Sequence, residues 1–274
     1  MALKICVSLL ILWMAVSPQT DGKVMPNRNA WEGECCHNCP NITLLVGEEA
    51  ENDSRYKLVL EDVSLKVCYV DVHAGIIAGH ASALKHGNAI YPYTRVEMLT
   101  YNLTEGARQF NLDNLFNGQC PTKVIVGLVD SDSFSGDFRL NPYNFKNFSL
   151  SEIELSADGR PLPSRALRVP NFDNIGGQVV SPYLSLFDCV GGGNMSAFGN
   201  MIEPEDFARG YALYAFSLFG GGAADNFMQP KQTANVRVRG SFSSPLPNAV
   251  TAIIYAEFPS VIEIEASRNV ILVN

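Results

Sequence analysis

From about residue 94 to the C-terminus, the chain alternates apolar and polar residues in short runs separated by turn-forming residues. A period of two is typical of β-strands that bury one face. The run at residues 149–155 alternates strictly and ends at Asp158-Gly159, which predicts a β-hairpin. We predict strands at residues 56–61, 64–70, 94–103, 123–129, 149–155, 179–187, 210–218, 234–242, 250–258, 262–264 and 270–273.

Helical periodicity is rare by comparison. Residues 74–86 are the one short helix that the pattern predicts, and Pro92 is expected to break the chain before the next strand. The glycine triplets at 191–193 and 220–222 are predicted to be loops, because neither is followed by Lys-Ser/Thr or by a helix that could bind phosphate. The expected fold class is therefore all-β, a two-sheet sandwich of jelly-roll type with one short helix.

The N-terminus follows a different pattern. Lys4 precedes an apolar run at residues 5–16, and polar residues follow from Ser17. This layout predicts a signal peptide at 1–20 and a secreted protein, whereas a wrongly assigned gene start would leave the protein intracellular or virion-like. We expect a Cys-containing acidic linker at 21–53 and the jelly-roll domain at 54–274.

Export would place the cysteines in an oxidising compartment and so change the chemistry expected of them. Cys6 would leave with the signal peptide, and an even number in an oxidising compartment favours disulfides. Six cysteines would remain: Cys35, Cys36, Cys39, Cys68, Cys120 and Cys189. Zinc binding by the first three with His37 is the weaker alternative, because no second ligand pair follows closely.

Secretion would also make the Asn-x-Ser/Thr sequons candidate glycosylation sites. There are five: Asn41, Asn52, Asn102, Asn147 and Asn194. The first two lie in the polar stretch before the domain and are the better acceptors. The third and fourth adjoin apolar strand residues, where burial could block modification.

Composition and charge restrict the function. Apolar residues make up 47% of the chain, which is enough for a large core, and the net charge of −8 disfavours nucleic-acid and anionic-membrane partners. No Gly-x-Ser-x-Gly motif exposes a nucleophile, although a Ser-His-Asp triad could still assemble in space. Asp130, Asp132 and Asp137 could bind Ca²⁺, but a solvated turn is favoured. We therefore predict no enzyme, cofactor, metal site or small-molecule substrate.

Several short sequence motifs resemble those of a known family and occur in the same order along the chain. They run from 91–97 (YPYTRVE) through 116–121 (FNGQCP), 124–130 (VIVGLVD), 134–136 (FSG), 141–145 (NPYNF), 158–163 (DGRPLP), 206–211 (DFARGY), 213–216 (LYAF) and 255–258 (YAEF) to 262–264 (IEI). The chain resembles the C-terminal half of the double jelly-roll major capsid protein of Polinton/Maverick elements and adintoviruses. The resemblance extends from about Tyr56 to the C-terminus.

This resemblance implies the second jelly roll of a capsid subunit that forms trimers and an icosahedral shell. Residues before Tyr56 do not resemble the family's first jelly roll, so we expect a truncated or domesticated structural protein that self-associates. A secreted, glycosylated β-sandwich binding module is the alternative. A cupin-like enzyme ranks third, because no histidine follows His86 to complete a metal cluster in the barrel.

Overall fold

The computed structural model describes residues 70–137, 140–169, 180–189, 202–218 and 231–273. The strands predicted before residue 70 and both glycine triplets lie outside these ranges. The chain divides into two units, residues 1–82 and 83–274, and all the described strands belong to the second. The predicted helix is confirmed as α1 (Ala74–Leu84), which has no buried residue.

Nine described strands form two antiparallel sheets. Sheet A has the order β1-β8-β3-β6, with β9 also paired to β8, and sheet B has the order β2-β7-β4-β5. The strands are β1 (Ala89–Leu103), β2 (Gln109–Leu115), β3 (Lys123–Asp130), β4 (Leu150–Ala157), β5 (Arg160–Arg168), β6 (Leu213–Ser217), β7 (Val236–Phe242), β8 (Val250–Ile264) and β9 (Val270–Val273). This order of the first eight strands, four in each sheet, is that of a jelly roll and confirms the predicted fold class.

The main core lies between the two sheets. Val124, Val126 and Leu128 alternate along β3 and are fully buried, as are Ile153 and Leu155 on β4. Each such side chain contributes about 1.5–3 kcal/mol by leaving water. The hairpin at Asp158-Gly159 connects β4 to β5, and both turn residues have positive φ, as a type I′ turn requires.

Gly240 on β7 is required by close packing. A Cβ atom at this position would lie 2.3 Å from Cε1 of Phe110, whose residue pairs with Gly240 across the two strands. Real Cβ atoms do not approach a ring so closely, so the absence of a side chain lets Phe110 lie over the strand.

A second, smaller hydrophobic cluster joins two helices to β6. It contains Leu186 and Cys189 of α3 (Val180–Cys189), Phe207 of α4 (Pro204–Arg209), and Ala215. The strand predicted at 179–187 is wrong, because its apolar residues also fit a helix. Pro182, Leu186 and Cys189 are buried at spacings of four and three, and the proline is tolerated in the first turn.

The expectation of one short helix is also wrong. A single turn, α2 (Ser131–Phe134), follows β3, and α4 carries several helix signals, although its N-cap residue Glu203 makes no side-chain capping hydrogen bond. Pro204 is at its start, acidic residues are in its first turn and Arg209 is in its last turn, as the helix dipole favours. Among the described residues, no helix is long and apolar enough to cross a membrane.

Prolines end fewer strands than expected. Pro92 lies inside β1, and Pro259 lies inside β8, which is one continuous strand of 15 residues. Among the described strands, β1 has a neighbour on one side only, so a missing N–H there need not cost a ladder hydrogen bond. Pro259 lies beyond Glu257, the last residue of β8 that pairs with β3 in this direction.

Candidate assembly surface

The two longest strands extend past the sandwich and form a three-stranded ribbon with β9. Residues 261–264 of β8 pair with residues 89–92 of β1 on one side and with residues 270–273 of β9 on the other. A tight turn closes β8 onto β9, in which the Glu265 N–H donates to the carbonyl oxygen of Asn269. We call these twelve residues the terminal ribbon.

One face of the terminal ribbon is entirely apolar. Residues directly opposite one another in paired strands share a face, so the register assigns two rows to this side. The rows are Ala89, Ile264 and Val270, and Tyr91, Ile262 and Leu272. We call these six residues the apolar face.

The apolar face is accessible to solvent. Tyr91 is 55% exposed, Val270 is 61% exposed and Leu272 is 57% exposed. Contiguous exposed apolar surface of this kind marks interaction sites in soluble proteins. Among the described strands β9 pairs with β8 alone, and an apolar strand at a sheet edge can offer backbone groups to another chain.

The opposite face of the terminal ribbon is more polar. It differs from the apolar face by one charged residue: its rows are Ile90, Glu263 and Ile271, and Pro92, Val261 and Val273. The Asn88 side-chain amide donates to the Glu263 carboxylate at 3.0 Å. A charged group at the centre of this face makes it a poorer apolar contact surface. The asymmetry points to the apolar face as the surface that another protein would cover.

The predicted glycosylation sites differ in accessibility. Asn41, Asn52 and Asn194 lie outside the described residues. Asn102 is exposed on β1, and its Oδ1 accepts a hydrogen bond from the Ser131 hydroxyl at 3.1 Å. Asn147 is half-buried, and its Oδ1 accepts from the buried Tyr214 hydroxyl at 2.6 Å.

The predicted disulfides find no support in the described residues. Cys35, Cys36, Cys39 and Cys68 lie outside them. Cys120 is a free, buried thiol next to Pro121, so the disulfide expected there is not formed. Cys189 is buried separately, in the smaller cluster under the helices.

The other candidate groups do not converge. His73, His80 and His86 lie on or beside α1, and the described residues contain no group of three His, Cys, Asp or Glu that could hold a metal ion. Asp130 instead caps α2, since its carboxylate accepts from the Asp132 N–H at 3.2 Å. His37 is outside the described residues.

Sequence patterns alone could not identify the apolar face. Its members come from three strands, and only the register shows that Tyr91, Ile262 and Leu272 are aligned. The available signal was the consecutive apolar run in β9, because a strand with one buried face would alternate instead.

Comparisons with known proteins give one curated relative and several solved structures. No family model matches the chain. The relative is "Uncharacterized protein F54H12.2" of Caenorhabditis elegans, which is 24% identical over 235 residues. The match covers 85% of this chain, which spans 55% of that protein's length.

The similar solved structures are double jelly-roll viral major capsid proteins. A PBCV-1 virus capsid model matches with a TM-score of 0.39 at 12% identity, covering 71% of this chain and 54% of that one. The mavirus major capsid protein matches with a TM-score of 0.37 at 9% identity, covering 68% of this chain and 41% of that one. The Sputnik virophage structure matches with a TM-score of 0.36 at 11% identity, covering 68% of this chain and 39% of that one. The strand order, rather than these partial superpositions, identifies the jelly roll.

Proposed function

We propose that this chain is a non-enzymatic structural protein, derived from a double jelly-roll capsid protein of the Polinton/Maverick type. In this proposal, it associates with other copies of itself through the apolar face of the terminal ribbon. The observation that carries the proposal is the alignment of six apolar residues on one exposed side of three paired strands.

Two further observations support self-association. The short sequence motifs between residues 91 and 264 resemble those of the capsid family, whose subunits assemble into shells. The apolar face is also suited to contact its own copy, because a two-fold interface uses the same surface patch on both subunits. A charged partner would leave its charges facing apolar side chains, which is unfavourable.

The direct test is sedimentation velocity of the wild-type chain over a range of concentrations, compared with two variants. Leu272→Glu places a charge on the apolar face, and we expect it to reduce association at least tenfold. Ile271→Glu is the matched control, since it adds the same charge to the neighbouring residue of the same strand but on the opposite face. We expect it to associate as the wild type does.

Two results would contradict the proposal. A wild-type chain that remains monomeric at all concentrations would exclude self-association. Equal effects of the two variants would show that association, if present, does not depend on the apolar face. Circular dichroism of both variants establishes that each is folded before the comparison is made.

We also propose that the chain is secreted, which the signal-like pattern at residues 1–20 supports. Expression in animal cells would then give a product in the medium whose mass falls on glycosidase treatment. The structure leads us to expect glycan at Asn102, which is exposed, and not at Asn147, which the Tyr214 hydroxyl engages. An unmodified product retained in the cells would contradict secretion without affecting the assembly test.

A further inference from the structure

A cavity of about 150 Å³ lies beside the end of the sandwich where β1 and β8 continue into the terminal ribbon. Two pairs of its lining residues are joined by backbone pairing. Gln119 bridges to Thr233, and the Cys120 N–H donates to the carbonyl oxygen of Gln232 at 3.0 Å. The cavity is lined by Arg95, Gln119, Cys120, Lys231, Gln232, Thr233, Phe258 and Pro259.

The charge of the lining is opposite to that of the chain. The whole chain has a net charge of −8, yet the described residues that line the cavity include Arg95 and Lys231 and no carboxylate; Glu97, outside the lining, forms an ion pair with Arg95. The Lys231 ammonium donates to the Val273 carbonyl at 2.9 Å, so it is held close to β9. Burial, and secondly the charge of Asp158, raise the pKa of the Cys120 thiol, so this group stays neutral at pH 7.

The Arg95 side chain is fixed but not fully satisfied. Its guanidinium lies over the Phe258 ring, 4.6 Å from the ring centroid. One terminal nitrogen pairs with Glu97, and the other donates to the Gln119 side-chain oxygen. The Nε–H is buried, and no described residue accepts its hydrogen bond. A buried donor without a partner is costly, so a bound group that accepts from Nε–H would be stabilised.

We propose that this cavity binds a small carboxylate ligand, with the Arg95 Nε–H as its central donor and Lys231 supplying a second positive charge. A carboxylate is planar, and it matches the side of a guanidinium that presents the Nε–H. A cavity of about 150 Å³ is large enough for a ligand of a few carbon atoms, since an engineered protein cavity of about that volume binds benzene. This site is independent of the apolar face, so it does not depend on the proposed assembly.

The test is isothermal titration of the full-length chain with sodium acetate and with sodium succinate, at constant ionic strength set by sodium chloride. Arg95→Gln removes the central donor, and we expect it to weaken binding at least tenfold. Lys231→Gln removes one charge without touching Arg95, and we expect a loss of about threefold to tenfold. Arg239→Gln, at an exposed arginine on β7 outside the lining, is the matched control and should bind as the wild type does.

Each other outcome overturns the proposal. If neither carboxylate binds the wild-type chain, the cavity holds only water. If sodium sulfate binds as tightly as acetate, the preference is for anions in general and the carboxylate assignment is wrong. If Arg95→Gln does not fold, Lys231→Gln decides, and binding equal to the wild type contradicts a role for the charged lining.

Discussion

Leu155 and Leu272 are both leucines in antiparallel strands, but their surroundings are opposite. Leu155 lies between the two sheets and is fully buried, whereas Leu272 lies on the apolar face of the terminal ribbon and is 57% exposed. An apolar residue inside the sandwich stabilises the fold of one chain. The same residue type on the terminal ribbon contributes little until something covers it, so its contribution belongs to association.

The largest expected difference between the two regions is in folding stability. Leu155→Ala should lower the free energy of unfolding by about 2–5 kcal/mol, because it leaves a cavity in a closed core. Leu272→Ala should change it by less than about 0.5 kcal/mol at concentrations where the chain is monomeric. Urea unfolding of both variants measures the difference, and equal losses would show that the ribbon is part of the folding core.

A smaller effect is expected where the core has no room for added atoms. Gly240→Ala should cost about 1–3 kcal/mol, since the new Cβ would collide with the Phe110 ring. Gly87→Ala is the matched control, because no atom beyond its two chain neighbours lies within 4 Å of the position that its Cβ would occupy. Thermal unfolding should show a lower midpoint for the first variant alone, and a shift of equal size in the control would argue against close packing at Gly240.

The pH dependence tests how well the core excludes water. Burial raises the pKa of Tyr214 above its ordinary value of 10.0. Below about pH 10 the hydroxyl is protonated in both states, and its contribution to stability is complete. As the pH rises further, only the unfolded chain ionises, so stability should fall by up to about 1.4 kcal/mol per pH unit.

Urea unfolding at pH 9, 10 and 11 measures this slope. Tyr214→Phe should make the decline shallower, because the ionisable hydroxyl is gone, and an unchanged slope would contradict burial of this group. Tyr255 provides a comparison within the chain. Burial is also the main cause that raises its pKa, followed by its hydrogen bond to Glu257, so between pH 9 and 11 its substitution should make the decline shallower by a similar amount.

The sequence predicted more of the core than of the surface. Alternation located β4 and β7, whose burial largely alternates along the strand, and a continuous apolar run located β3, in which residues 126–129 are all buried. It failed at α3, where residues 180–189 fit a period of two and a period of 3.6 about equally well. It also missed β2, and it divided β8 at Pro259 because the pairing that tolerates this proline is visible only in the sheet.

The candidate sites were harder to predict for the same physical reason. The apolar face combines residues about 170 positions apart in the chain, and pairing registers cannot be read from local patterns. Arg95 had no distinguishing sequence signal either. Its importance comes from the Phe258 ring beneath it and from an Nε–H whose hydrogen bond no described residue accepts.

Amide hydrogen exchange at low and high protein concentration tests the central claim most directly. We predict that protection of residues 89–92 and 270–273 rises with concentration, while that of residues 124–128 and 236–240 stays constant. This result would show that the sandwich is stabilised within one chain and the terminal ribbon by association. Ribbon protection that is independent of concentration would contradict the account.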